Sequence, residues 1–389
     1  MTHPTPPTRP LLLVACLWLT ACPSKAPPSN AAVEAPQSAS ASASATASVA
    51  VPTASASAKG PTWGPPGAPL DKDAPFTILM HADTPYQLMK GKRIDAPKDV
   101  HLSLERMRAG HLSAFAAVLY VEKKFHEQGA AQYCKRATEK IDALLASHAS
   151  ELRPATSTGE LEANWRSGHR SLFRTVEGSW CLHGKTAFDD LHASGVRMIG
   201  LTWEGDHDFA TSWVDYGRVG LTARGKQAVV RMNELGIAVD VSHMSDRAVD
   251  DVLAVAKAPV FASHSNARAV CNHPRNLKDD HIRAICASGG VVGINLYPLH
   301  LRKSGKADLS DVVTHVRHVR DVGGVGCVGL GSDFDGIARG PEGLETPAEL
   351  PNLRKALIEA GFTNEEVAAI FGGNFLRALR GVEQARKRL

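Results

Sequence analysis

Between Gly236 and Asn276 the chain runs through one local pattern twice: a short apolar run rich in β-branched residues that ends in Ser-His. The first is IAVDVSH, the second APVFASH, and between them Ser245 to Lys257 carries apolar residues at helical spacing behind a Ser-Asp start. This reads as strand, helix, strand. Two strands joined by a helix run parallel, so both C-terminal ends emerge at the same edge of a sheet. His243 and His264 are therefore expected side by side, one strand apart. Two imidazoles held so close at the mouth of a parallel sheet point to a metal site.

The same alternation extends along most of the chain. Eight strands are expected: 76–81, 112–121, 173–177, 196–202, 237–242, 260–263, 291–295 and 327–331. Helical stretches such as Thr186–Ala193, Thr222–Leu235, Asp279–Ala287 and Leu309–Val322 separate the later ones. Eight strand–helix units predict an α/β fold, a (β/α)8 TIM-type barrel over residues 69–389. The long connection 122–172 contains a charged amphipathic helix and is read as an insertion covering part of the barrel mouth. The C-terminal stretch reads as a capped helix, a Gly break and a second helix.

Such barrels carry their chemistry at the C-terminal strand ends. His81 and Asp83 close the first strand, Glu177 the third, His243 the fifth and His264 the sixth, with Asp333 just beyond the eighth. Three imidazoles and three carboxylates on one rim are about what two divalent cations bridged by a carboxylate require. Imidazole and carboxylate without thiolate fit zinc, and manganese or iron less well. The formal net charge of +4 is spread without a basic block, so nucleic-acid binding has no support. Five cysteines of this region, Cys134, Cys181, Cys271, Cys286 and Cys327, are scattered without CxxC spacing and are read as buried or free thiols. No G-x-S-x-G elbow accompanies the Ser-His pairs, which argues against serine hydrolysis.

Ahead of the barrel lie two segments of another kind. Residues 1–22 combine Arg9, the apolar core LLLVACLWL and the ending Leu19-Thr20-Ala21-Cys22, which resembles a bacterial lipobox. Cys22 is the expected lipidation site. This predicts a lipid-anchored protein of the bacterial cell envelope, attached to the membrane without spanning it. Residues 23–68, rich in Ala, Ser and Pro, lack the apolar surface to offset their ordering entropy and read as a disordered tether.

Taken in order, HADTP, VEGSW, LTWEGDHDFATSW, DVSHMS, SHSNARAVCNHPRNLKDD, GLGSDFDG with PEGLE, and GGNFLR resemble the membrane dipeptidase (renal dipeptidase) family of zinc metallopeptidases. The resemblance implies two Zn2+ per chain and hydrolysis of dipeptides by water activated at the metal pair, with tolerance of a D-residue at the C-terminal position. It casts His81 and Asp83 as ligands of one zinc, Glu177 as the bridging carboxylate, and His243 and His264 as ligands of the other. It casts Arg275 as the anchor of the substrate carboxylate and Asp333 as the proton carrier, with Asp335 its rival. Small dipeptides are the implied partners, and a homodimer is compatible with the family. One position departs: many animal members read Leu-Thr-His where this chain has Leu201-Thr202-Trp203. An indole donates one hydrogen bond and accepts no proton. The departure leaves substrate range open, including N-acyl-amino-acid, lactam or lactone hydrolysis on the same metals. His207 is the alternative group for the work of that His but reads more simply as a surface loop residue, and a non-catalytic surface lipoprotein is the rival reading from another class.

Overall fold

In the computed structural model, which describes residues 74–205, 208–215 and 219–389, the eight expected strands form and a ninth joins them. They are β1 (Ile78–Ala82), β2 (Ala114–Tyr120), β3 (Leu152–Ala155), β4 (Arg170–Glu177), β5 (Val196–Gly200), β6 (Ala238–Asp240), β7 (Val260–Ala262), β8 (Val291–Asn295) and β9 (Val328–Phe334). Every pairing is parallel, in the order β2-β1-β9-β8-β7-β6-β5-β4, and a direct β2–β4 pairing closes the ring into an eight-stranded barrel. The extra strand, β3, lies outside the ring on the first half of β4, pairing Leu152 with Arg170 and Ala155 with Phe173. Its four residues LRPA, with Arg153 and Pro154 exposed, lack the apolar alternation that marks a strand in sequence.

Side chains alternate between two buried faces. Ile78, Met80, Ala114, Ala116, Phe173, Met198, Ala238, Phe261 and Val291 belong to an inner cluster, whereas Leu79, Phe115, Leu172, Val176, Ile199 and Val239 pack in the outer layer. The C-terminal helix Asn374–Arg386 adds Phe375, Leu379 and Val382 to the inner cluster. Phe375 meets Phe173 and Phe261 edge-on at 5.6 and 5.9 Å, so this helix plugs one end of the barrel. A Cβ on Gly293 would lie 2.3 Å from the Met80 methyl, so glycine there makes room for that side chain in the interior.

The cysteine reading is corrected. Cys134 pairs with Cys181 and Cys286 with Cys327, leaving Cys271 as the free, buried cysteine among the described residues. The pairs are 47 and 41 residues apart, so only barrel closure brings them together and no local spacing announces them. Chain-entropy arithmetic for a 41-residue separation gives roughly 4 kcal/mol of stabilisation. The double variant Cys286→Ala/Cys327→Ala is therefore expected to unfold at distinctly lower denaturant concentration than the parent. An unchanged midpoint would show that this crosslink contributes nothing.

The inserted helix Ala130–Ser147 packs against the helix Thr84–Met89 and against β2, on the flank of the barrel. His126, also in the insertion, stacks on Trp180 at 3.5 Å between ring centroids. The signal segment with Cys22, the tether and His207 lie outside the described residues.

Candidate metal centre and active site

Parity alone would turn His81 outward with Leu79, since Ile78 and Met80 fill the interior. The pairing of β1 with both neighbours shifts register between Leu79 and Ala82, and this irregularity re-aims His81 toward the mouth. Glu177 follows Phe173 and Thr175 in ordinary period-two fashion at the end of β4. His243 sits beyond β6 at φ 65°, and Ser332, Asp333 and Asp335 occupy the same left-handed region at φ 85°, 83° and 70°. Of these four, His243 and Asp333 line the cavity above the cluster, so at these two positions an uncommon backbone conformation coincides with the functional site.

The result is one buried cluster. Glu177 Oε1 lies 3.0 Å from His243 Nε2, 3.4 Å from His264 Nε2 and 3.8 Å from His81 Nε2. His243 and His264 meet Nε2 to Nε2 at 3.0 Å, as the two parallel strands require. His81 Nε2 is 3.5 Å from Asp83 Oδ2. Two overlapping groups offer ligand atoms that all lie within 4.8 Å of one another: His81, Glu177 and His264, and His81, Asp83 and Asp333. Yet neither Glu177 Oε1 nor His81 Nε2 makes a hydrogen bond, although both are buried. A carboxylate oxygen ringed by imidazole nitrogens and bonded to none of them is costly unless cations occupy the gap. The residues present fit the binding of divalent metal.

Electrostatics agree with that fit. Burial pushes Glu177 well above the usual carboxylate range, only partly offset by His81. Burial also raises Asp333, to about 7, with His81 pulling against it. Burial disfavours charge on His81, but Glu177 and Asp83 outweigh it and raise His81 to about 9. Without metal the site must retain protons to stay balanced, the situation that bound cations relieve.

Sequence reasoning missed the layer behind these ligands. Asp240 accepts from the Ser242 and Ser263 amides at 3.0 and 2.8 Å and from the Ser263 hydroxyl. Ser263 Oγ in turn lies 2.8 Å from His264 Nδ1 and 3.4 Å from His81 Nδ1. This hydroxyl holds two imidazoles by their outer nitrogens and leaves both Nε2 atoms facing inward. Asn295 Nδ2 donates to Asp333 Oδ2 at 3.0 Å and fixes that carboxylate. Asp240 was legible only as an acidic residue interrupting an apolar strand.

The two candidate proton carriers part company. Asp333 lines the cavity above the cluster, with Asp83, Glu177 and His243. The Asp335 carboxylate instead accepts from Thr84 Oγ1 at 2.7 Å and the His101 amide at 2.6 Å, and it borders a different cavity. Arg275 is buried and does not line the cavity above the cluster. Its Nη1 donates to Ser265 Oγ at 2.8 Å, while Nε and Nη2 have no hydrogen-bond partner. Trp203 does line the cavity, joined by residues that sequence reasoning passed over, including Tyr120, Trp213, Tyr297 and His300.

Comparison with known proteins follows the same lines. A model of the membrane dipeptidase family, peptidase family M19, matches residues 73–389. A dipeptidase of Aspergillus oryzae, aclJ, is 34% identical over 297 residues, covering 73% of this chain and 70% of that one. An uncharacterized dipeptidase of Schizosaccharomyces pombe is 40% identical over 199 residues, covering 49% of this chain, and the match spans about half of that relative (48%). A metallopeptidase from Rhodobacter sphaeroides, solved with a phosphinate mimic of the dipeptide L-Ala-D-Ala, superposes with a TM-score of 0.72 at 24% identity, over 79% of this chain and 99% of that one.

Proposed function

The chain belongs to the membrane dipeptidase family of metallopeptidases, and from that premise we propose that it hydrolyses dipeptides at a centre of two zinc ions. The observation that carries this reading is Glu177 Oε1, buried without a hydrogen bond among three imidazole nitrogens at 3.0–3.8 Å. His81, Asp83 and Glu177 would hold one ion, and Glu177, His243 and His264 the other. Bound there, the ions supply a water ionised near neutral pH and a Lewis acid for the scissile carbonyl.

The remaining work falls to the chain's own side chains. Asp333, fixed by Asn295, takes the proton of the attacking water and delivers it to the departing nitrogen. Burial raises its pKa to about 7 in the metal-free site, and a bound cation would lower it from there. Arg275 is the side chain assigned to the substrate's terminal carboxylate; two of its nitrogens lack acceptors, and a carboxylate reaches them only by passing the residues that line the cavity. Each unsatisfied buried donor costs about 1–3 kcal/mol, which an entering carboxylate recovers. Selection for a free carboxylate follows, as does tolerance of a D-residue, since Arg275 reads the carboxylate rather than the neighbouring side chain. The L-Ala-D-Ala mimic held by the Rhodobacter sphaeroides structure supports that stereochemistry.

Turnover of L,L- and L,D-dipeptides beside N-acyl amino acids tests the reading. Dipeptides are expected to be the better substrates, and a clear preference for N-acyl amino acids or lactones would replace it. Arg275→Ala is expected to raise KM for dipeptides about 100-fold, the effect of a lost charge-assisted pair, with kcat less affected. An unchanged KM would remove Arg275 from substrate binding.

A further inference from the structure

We propose that the aromatic part of this cavity's lining selects substrates bearing a large planar apolar side chain, with Trp203 as the central contact. The inference rests on the dipeptidase reading above and names its substrate class.

The cavity has a volume of about 540 Å³ and a lining that mixes charged groups with aromatic rings. Its lining includes the carboxylates and imidazole of Asp83, Glu177, His243 and Asp333 and, beside them, the rings of Tyr86, Tyr120 and Trp203; Trp213 and Tyr297 line it too, in a separate group of rings with His273 and His300. Two small residues such as Ala-Ala need little of that aromatic surface. The rings of Tyr86, Tyr120 and Trp203 form a connected wall. Tyr86 meets Tyr120 edge-on at 5.8 Å, Tyr120 meets Trp203 at 5.0 Å, and Trp203 meets Trp180 at 6.3 Å. Trp180 is stacked by His126 from the far side at 3.5 Å.

This wall is braced rather than adaptable. Gly178 is at φ 80°, and a Cβ there would lie 2.5 Å from the Trp180 ring, so only glycine lets that indole lie where it does. Cys181, the next residue after Trp180, is bonded to Cys134 on the inserted helix. A preorganised apolar face loses little entropy on binding and so discriminates by shape. Trp203 lies 6.4 Å, ring to ring, from His243, which places the wall beside the reacting centre. The indole of Trp203 donates one hydrogen bond and accepts no proton. Its ring presents apolar area that a substrate side chain can cover.

The test uses the zinc-loaded full chain and compares kcat/KM for Ala-Ala, Phe-Ala, Ala-Phe, Ala-D-Phe and Lys-Ala. At least one phenyl-bearing dipeptide is expected to exceed Ala-Ala by about 10- to 100-fold. Trp203→Ala and Trp203→His should each cut that ratio at least fivefold, because the ratio cancels any general loss of activity. Equal turnover of Ala-Ala and every phenyl-bearing dipeptide would overturn the inference while leaving the dipeptidase reading intact. Preference for Lys-Ala over all of them would overturn it in favour of a cation held against the rings. Failure to cleave any dipeptide would count against the dipeptidase reading instead. The wall would then be judged by binding: saturable quenching of tryptophan fluorescence by Phe-Ala or Ala-Phe but not Ala-Ala supports it, and no quenching overturns it.

Discussion

Glu177→Gln is expected to lower kcat/KM for a dipeptide by about 1000-fold or more, in keeping with the loss of an essential metal-bridging group. The substitution keeps shape and volume and removes only the charge. One amide oxygen would then face the Nε2 atoms of His81, His243 and His264, without the second anionic oxygen that a bridge between two ions uses. Zinc content should fall with activity, because a neutral amide is a poor ligand beside a carboxylate. The fold should survive, since burial already disfavours charge at this position when no ion is present. Metal analysis and a thermal melt on the same preparation separate loss of metal from loss of structure. Full activity and full zinc in the variant would show that Glu177 bridges nothing.

Asp333→Asn should cost kcat about 100- to 10,000-fold, the range for loss of a positioned general acid–base, with a smaller change in KM. Asparagine tolerates the left-handed backbone found at φ 83°, so the loop should keep its form. The pH dependence adds a second readout. As a base, Asp333 works only when ionised, so activity rises with pH through its pKa. Burial places that value near 7, and a neighbouring cation lowers it. The acidic limb of the kcat profile should therefore lie below 7 in the zinc-loaded enzyme and flatten in the variant. A variant with parental kcat would return the role to another group. Asp335 is a weak claimant, because Thr84 and the His101 amide already engage its carboxylate.

Legibility in the sequence followed the reach of each signal. Strand-end chemistry was readable because His81, Glu177, His243 and His264 each close a short apolar run, and because parallel strands fix where such ends lie. The aim of His81 was not, since it depends on a register shift in β1 that reverses simple alternation. The strand β3 carries too few apolar residues to declare itself. Both disulfides and the aromatic wall join residues tens of positions apart, and such contacts exist only once the barrel has closed. Asp240 and Ser263 act through the imidazoles they orient, so no spacing rule exposes them.

Dipeptide turnover by the purified chain, measured as isolated, after exhaustive chelation and after zinc is restored, bears most directly on the central claim. Two zinc ions per chain, no turnover once they are removed, and recovery on their return are the predicted results. Turnover that persists in the metal-free protein would contradict the account.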